Sequence, residues 1–265
     1  MPEPLLIERA AQVLRLRLNR PQLHNAFDPV LIAALTAALD EAGRDPQVRV
    51  VVLEGDGASF SAGADLGWMR GMATASEADN RDDALALARL MRTLDALPRP
   101  TIARVHGAAF GGGVGLVACC DIAIGVPAAS FGLTESRLGL LPAVISPYVI
   151  AAIGPRQARR WFASGETFDA ATALRIGLLH EVVEPDALDA AIARQIALLL
   201  RAGPVAAAAA KQLVGRVASG AHDATTTDHD NAALIAALRV SPEGQEGLSA
   251  FLDKRPPAWA QKESR

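Results

Sequence analysis

The stretch that decides the fold is residues 100–142, PTIARVHGAAFGGGVGLVACCDIAIGVPAASFGLTESRLGLLP. Thr101 to Val105 is β-branched and apolar, which predicts a buried strand. Three consecutive glycines follow at 111–113, and the small apolar residues from Gly115 to Cys120 suit a buried helix. The order strand, glycine turn, helix aims free backbone N–H groups at one point near a helix N-terminus, where they stabilise negative charge.

Three interpretations of the triple glycine compete. A tight, tolerant turn requires no ligand at all. A phosphate-binding loop fits poorly, because the stretch contains neither Gly-x-x-x-x-Gly-Lys-Ser/Thr nor Gly-x-Gly-x-x-Gly directly after the strand. The third interpretation is an oxyanion hole, in which backbone N–H groups hold the charge that develops on a carbonyl oxygen.

A second glycine loop upstream favours the oxyanion hole. Residues 48–54, VRVVVLE, have the composition of a strand and lead into GDGASFSAGADL at 55–66, ahead of a helical stretch. Two strand–glycine–helix turns in one domain can converge on a single acyl oxygen.

Together these segments resemble the crotonase family, also called the enoyl-CoA hydratase/isomerase superfamily. The resemblance covers residues 5–255 and rests on Arg20-Pro21 with Asn25-Ala26, SAGADL at 61–66, HG at 106–107, FGGG at 110–113, CDIA at 120–123, and residues 131–142. It implies an α/β fold, a crotonase-like spiral of ββα repeats with a C-terminal helical trimerisation region. The alternation of strands and helices along the chain independently indicates an α/β class.

The resemblance also implies which residues form the site. The backbone N–H groups of Ala64 and Gly112 correspond to the oxyanion donors, and Glu135 corresponds to the acid/base. A glycine at 112 allows close approach of a thioester to the backbone. The path of the CoA moiety is expected along seven residues, many acting through backbone atoms: Gln22, His24, Ala62, Asp65, Leu66, Phe110 and Gly111.

Glu135 lies in the otherwise apolar segment GLTESRLG at 132–139. A half-buried carboxylate there has a raised pKa suited to proton transfer. The alternative is a surface glutamate paired with Arg137, which the family resemblance disfavours. Arg137 is itself a candidate for binding a distal carboxylate on the acyl chain, with a surface salt bridge as its alternative. His24 and His106 are expected to be structural or surface histidines rather than catalytic ones, since no carboxylate motif accompanies them.

Gly115 departs from the family's pattern, because typical hydratases of the family place a second glutamate two residues after the triple glycine. A single carboxylate must serve both proton transfers, use a bound water, or shuttle one proton between carbons as enoyl-CoA isomerases do. Residues 131–150 resemble the branch of bacterial methylglutaconyl-CoA and isohexenylglutaconyl-CoA hydratases, which act in leucine and acyclic terpene breakdown. We therefore expect hydration of a 2-enoyl-CoA, with a Δ3-Δ2 enoyl-CoA isomerase as the alternative and a non-catalytic or RNA-binding paralogue as the second alternative.

Length and composition limit the other possibilities. The chain has 265 residues, of which 51% are hydrophobic and 21% charged, so it can bury a large core. We expect a ββα core over 1–200 with the CoA site and a helical region over 201–265. A net charge of −3 without a basic stripe argues against nucleic acid as a partner. The resemblance implies an acyl-CoA thioester substrate and a homotrimer or hexamer.

The remaining expectations concern location and local structure. The apolar runs are too short or too mixed to span a membrane, and no signal peptide is apparent in the first residues, so neither membrane association nor export is expected. Adjacent Cys119 and Cys120 predict buried free thiols in the cytoplasm. No metal site is expected, and no cofactor, since coenzyme A is part of the substrate. Asp28 predicts a helix N-cap, and the polar residues 220–229 predict a loop.

Overall fold

The structure, a computed structural model, describes residues 3–220 and 223–260. Its strands in this part of the chain are β1 (Leu5–Ala10), β2 (Val13–Leu18), β3 (Val50–Gly55), β4 (Ser59–Ser61), β5 (Thr101–Val105), β6 (Ala108–Phe110), β7 (Ile122–Gly125), β8 (Ser130–Gly132), β9 (Thr167–Asp169) and β10 (Glu181–Val182). Its α-helices are α1 (Pro29–Arg44), α2 (Leu66–Met72), α3 (Glu77–Asp95), α4 (Gly112–Cys119), α5 (Ser146–Ser164), α6 (Ala170–Ile176), α7 (Leu188–Leu200), α8 (Pro204–Ala218), α9 (Ala224–Val240) and α10 (Pro242–Leu252).

The strands form two sheets, and the chain passes repeatedly from the larger sheet to the smaller one. The larger has the order β1-β2-β3-β5-β7-β10 and the smaller the order β4-β6-β8-β9. β1 and β9 are antiparallel to their neighbours, and the other pairs are parallel. Each of β3, β5 and β7 is followed by a strand of the smaller sheet and then by a helix. The expected ββα spiral is therefore confirmed.

Burial on both faces explains the sequences of the central elements. In β3 the residues from Val50 to Glu54 are all buried, as in a parallel strand covered on both sides. The helix α4 is apolar on every side and buries six of its eight residues, including Gly115. This packing fixes the glycine turn at 111–113 between buried elements.

Capping groups determine where several helices begin. As predicted, the Asp28 carboxylate accepts a hydrogen bond from the N–H of Leu31 at 2.8 Å and begins α1. The predicted loop over 220–229 is wrong from Ala224 onward, because Asp223 accepts a hydrogen bond from Thr226 and begins α9 there. Because α9 buries no residue, it does not need an apolar face in its first turns. These turns are polar, and their composition therefore resembles that of a loop. Residues 221 and 222 lie outside the described residues.

The C-terminal helices leave much apolar surface exposed. Neither α8 nor α9 buries any residue, and large apolar side chains such as Val214 and Phe251 lie open to solvent, Phe251 at 81% exposure. The division of the chain near residue 200 stays a prediction, as does the trimerisation role of this region. Cys119 and Cys120 are buried free thiols, as predicted.

One structural observation bears on membrane association. Within the described residues no single helix is long and apolar enough to cross a membrane; Pro185–Leu200 and Pro204–Ala218 pass that test only as a pair, bent by 103°.

Candidate active site

The loop that follows β4 presents a free backbone donor at Ala64. Phe27 forms a parallel bridge with Ala64: the N–H of Phe27 donates to the Gly63 carbonyl at 2.6 Å, and the N–H of Asp65 donates to the Phe27 carbonyl at 2.8 Å. In this pattern the neighbours of Ala64 make both bonds. The N–H of Ala64 itself finds no acceptor among the residues that the structure describes.

A second free donor lies at the N-terminus of α4. Gly111 is the N-cap residue, with φ of 49°, and Gly112 is the first residue of the helix. The N–H groups of a first helical turn have no partner within the helix, and that of Gly112 has none elsewhere in the described chain. A Cβ at position 112 would lie 2.5 Å from Cε2 of Phe27, so the ring requires glycine here.

The two loops are in direct contact. A Cβ at Gly63, where φ is 85°, would lie 2.8 Å from the Phe110 carbonyl and 3.6 Å from the Gly112 nitrogen. Phe27 contacts both loops, with its backbone on Ala64 and its ring against Gly112. Two unpaired N–H groups on touching loops form an arrangement that can hold a developing oxyanion.

Glu135 lies beside this arrangement on a 3-10 turn, Thr134–Leu138. Its Oε1 would be 3.0 Å from a Cβ at Gly111, and its Oε2 is buried with no hydrogen-bond partner in the described residues. Burial raises the pKa of the Glu135 carboxyl. Within the described chain Glu135 makes no ion pair with Arg137, so the alternative of a paired surface glutamate is not what the structure has.

Position 115 offers no room for a second acid. Gly115 is buried on α4, and a Cβ there would collide with Cγ2 of Ile145 and lie 3.2 Å from Cε of Met91. Apolar side chains therefore surround the place where a second carboxylate would have to begin. Glu135 therefore supplies a carboxyl group beside the turn at 111–113, and position 115 supplies none.

The residues expected along the CoA path are placed as follows. Gln22, His24, Ala62 and Leu66 are exposed, whereas Asp65, Phe110 and Gly111 are half-buried.

The side chains of two of these residues, His24 and Asp65, already have structural partners. The carbonyl of His24 accepts a hydrogen bond from the N–H of Ala62 at 2.8 Å, and its Nδ1 lies 3.0 Å from Oγ of Ser59. The Asp65 carboxylate caps α2 through the N–H groups of Gly67 and Trp68. The hydrogen bond from the N–H of Trp68 is the main cause that lowers the pKa of Asp65. The N–H of Gly67 and the guanidinium of Arg20 lower it further. The Asp65 side chain therefore organises the loop.

The other histidine considered from the sequence is structural, as expected. His106 donates from Nε2 to the carbonyl of Gly57 at 2.9 Å, and burial lowers its pKa. Lys211 also has a structural partner, the Asp121 carboxylate at 2.9 Å. In the described part of the chain, no group of three or more His, Cys, Asp or Glu side chains could hold a metal ion.

Sequence reasoning missed Arg20, Phe27 and Ile145. In the sequence Arg20 belongs only to the matching segment Arg20-Pro21, yet in the structure its guanidinium joins the carboxylates of Asp28 and Asp65. The sequence shows that an arginine is present but does not show its partners. They lie 8 and 45 positions away, and only the fold brings them together. Neither Phe27 nor Ile145 carries a sequence signal beyond apolar character.

Comparison with known proteins agrees with this geometry. The family model for enoyl-CoA hydratase/isomerase matches residues 8–262. A 2,3-dehydroadipyl-CoA hydratase of Escherichia coli is 34% identical over 259 residues, covering 96% of this chain and 97% of its own. The crystal structure of an enoyl-CoA hydratase from Shewanella pealeana has a TM-score of 0.93 at 45% identity, covering 97% of this chain and 96% of its own.

A second solved structure, AtuE of Pseudomonas aeruginosa, has a TM-score of 0.94 at 39% identity and covers 98% of this chain and 100% of its own. These matches confirm the fold and the superfamily expected from the glycine loops. The chain therefore belongs to the enoyl-CoA hydratase/isomerase family and is an enzyme of that family.

Proposed function

We propose that this enzyme hydrates a 2-enoyl-CoA thioester with Glu135 as its single acid/base. One observation carries the proposal: among the described residues, the unpaired N–H groups of Ala64 and Gly112 lie beside the half-buried carboxyl of Glu135, whose Oε2 has no hydrogen-bond partner. The pKa of that carboxyl is raised by burial, which suits a group that must both take and return a proton near neutral pH.

In the proposed reaction Glu135 first accepts a proton and then donates it. The thioester oxygen accepts hydrogen bonds from the N–H groups of Ala64 and Gly112. Ionised Glu135 removes a proton from a water molecule while the oxygen of that water bonds to the β-carbon. The electrons of the double bond move onto the thioester oxygen, where the two donors stabilise the enolate. Protonated Glu135 then returns its proton to the α-carbon, and the carboxylate is restored.

The acyl group proposed is of the methylglutaconyl type, with a carboxylate at its far end. Arg137 lies two residues from Glu135, is exposed, and has no ion-pair partner among the described residues, so it is free to bind such a group. The Escherichia coli relative is named for 2,3-dehydroadipyl-CoA, which is also a dicarboxylic thioester.

A Δ3-Δ2 isomerase is the second candidate, and one observation favours it. Ile145 fills the space beside Gly115, so position 115 cannot provide the second carboxylate that typical hydratases have there. A single carboxylate suffices to carry a proton from C2 to C4.

A homotrimer or hexamer in the cytoplasm belongs to the same proposal. The exposed apolar side chains of the C-terminal helices support the assembly.

The deciding experiment assays the purified enzyme with crotonyl-CoA, 3-methylglutaconyl-CoA and a 3-enoyl-CoA, beside the Glu135→Gln variant. Hydration of either 2-enoyl-CoA that depends on Glu135 supports the proposal. Turnover of the 3-enoyl-CoA alone supports the isomerase. No turnover of the three, with no heat of binding to acetoacetyl-CoA at millimolar concentration, would overturn both and leave the non-catalytic alternative.

A further inference from the structure

Arg20 joins two carboxylates that belong to different helices. Its Nη2 lies 3.0 Å from Oδ2 of Asp28 and 3.1 Å from Oδ2 of Asp65, and its Nη1 donates to the carbonyl of Ala26. The three side chains are mostly buried, with exposed fractions of 13%, 24% and 14% for Arg20, Asp28 and Asp65. At this degree of burial solvent screens the charges less than at an open surface.

Both carboxylates cap helices, so the N-termini of α1 and α2 come close to one point. Asp28 accepts from the N–H of Leu31, and Asp65 accepts from the N–H groups of Gly67 and Trp68. The helix N-termini favour negative charge, yet two carboxylates this close repel each other. A guanidinium between them offsets the repulsion and, being planar with several donors, fixes their separation.

The segment held between these caps contains the Phe27–Ala64 bridge. Ala26 and Asp28 flank Phe27 on one side of the bridge, and Asp65 follows Ala64 on the other. Through Ala26, Asp28 and Asp65, Arg20 is bonded to both segments that form the bridge. The bridge in turn determines the direction in which the N–H of Ala64 points.

We propose that Arg20 is a positioning residue for the oxyanion donor at Ala64. The inference rests on the proposed function, which gives the N–H of Ala64 its role. In the described residues Arg20 makes no hydrogen bond to Ala64, and it acts by holding Ala26, Asp28 and Asp65 in place. Because the donor acts on charge that develops in the transition state, misplacing it lowers kcat more than it raises KM.

The test compares Arg20→Met and Arg20→Lys with a matched control, Arg104→Met. Arg104 is a similarly buried arginine, 2.7 Å from Asp189 and 4.0 Å from Glu54, and within the described residues its side-chain hydrogen bonds and ion pairs involve neither glycine loop. Removing one oxyanion donor typically costs ~10²–10³ in kcat, so a misplaced donor is expected to cost about 10-fold or more. We expect that loss in Arg20→Met with KM within about 3-fold, partial recovery in Arg20→Lys, and unchanged kcat in Arg104→Met.

Two results would overturn the inference: a folded Arg20→Met with wild-type kcat, or one in which only KM changes. If Arg20→Met does not fold, Asp65→Asn takes its place, because asparagine still caps α2 but loses the charge that Arg20 binds. Its kcat must then fall with little change in KM, and an unchanged kcat again overturns the inference.

Amide hydrogen exchange at Phe27 and Asp65 separates this inference from the proposed function. Faster exchange of these two N–H groups in Arg20→Met, but not in Arg104→Met, is expected whether or not the enzyme turns over an enoyl-CoA. An inactive wild-type enzyme with that exchange pattern contradicts the proposed function alone. Unchanged exchange contradicts the positioning role.

Discussion

Ile145 packs against Gly115 so closely that position 115 has no room for a side chain. Even a Cβ there would lie 2.9 Å from Cβ of Ile145 and 3.2 Å from Cε of Met91. The glycine therefore allows α4 to pack on the segment that precedes α5. A glutamate cannot be restored at this position by a single substitution, and the departure from the two-glutamate pattern is part of the core packing.

The first prediction concerns this contact. Gly115→Ala overpacks the interface and should destabilise the protein by about 1–3 kcal/mol, whereas Gly215→Ala should be neutral or stabilising, because nothing lies within 4 Å of a Cβ there. Thermal melting of both variants provides the measurement. Gly115→Glu should not fold.

The same contact predicts coupling between the two positions. Ile145→Ala alone leaves a cavity and should cost about 2–5 kcal/mol, but combined with Gly115→Ala it removes Cγ2 of Ile145, the atom nearest to the added Cβ. The double variant should therefore be more stable than the sum of the single effects predicts. Strict additivity would show that Ile145 does not limit position 115.

The second prediction concerns Glu135. Glu135→Gln should retain the fold and bind acetoacetyl-CoA, while kcat falls by ~10²–10⁴, the usual contribution of a positioned acid/base. The matched control is Glu166→Gln, since Glu166 is exposed and pairs with Arg160 at 3.2 Å. Undiminished turnover in a well-folded Glu135→Gln would remove Glu135 from the mechanism.

The pH dependence follows from the raised pKa of Glu135. Hydration begins with the ionised carboxylate, so kcat/KM should fall as the pH drops through a pKa above the ordinary value of 4.5. For stability the sign is opposite: the folded state holds the proton more tightly, so ionisation destabilises it as the pH rises through that pKa. Glu135→Gln should therefore have a higher Tm than wild type at neutral pH, and this difference should shrink toward pH 4. A lower Tm at neutral pH would contradict the burial of the charge.

The glycine loops could be predicted from the sequence, but their supports could not. Strand and helix composition located β3, β5 and α4, and the cap at Asp28 gave the start of α1. The contacts of Arg20 with Asp65 and of Ile145 with Gly115 join segments 45 and 30 residues apart, and no local pattern encodes them. Local polarity also misled the prediction at 224–229, where one capping carboxylate decides the structure.

The third prediction uses the contact between Phe27 and Gly112. Gly112→Ala places a Cβ against the Phe27 ring and should displace the donor N–H, lowering kcat by ~10²–10³ with a smaller change in KM. Phe27→Leu provides space beside that Cβ, so the double variant should recover part of the lost kcat. A Gly112→Ala enzyme with full activity would show that this N–H does not hold the oxyanion.

The last prediction tests the acyl group through Arg137. If its guanidinium binds a distal carboxylate, Arg137→Met should lower kcat/KM for 3-methylglutaconyl-CoA by about 10-fold or more, the loss of one charge-assisted hydrogen-bonded pair. Crotonyl-CoA, which has no distal carboxylate, should be turned over as before. Arg160→Met is the control, because Arg160 is an exposed arginine that stacks on Trp161 and pairs with Glu166. An equal loss for both substrates would show that Arg137 supports the turn that carries Glu135 and does not select the acyl chain.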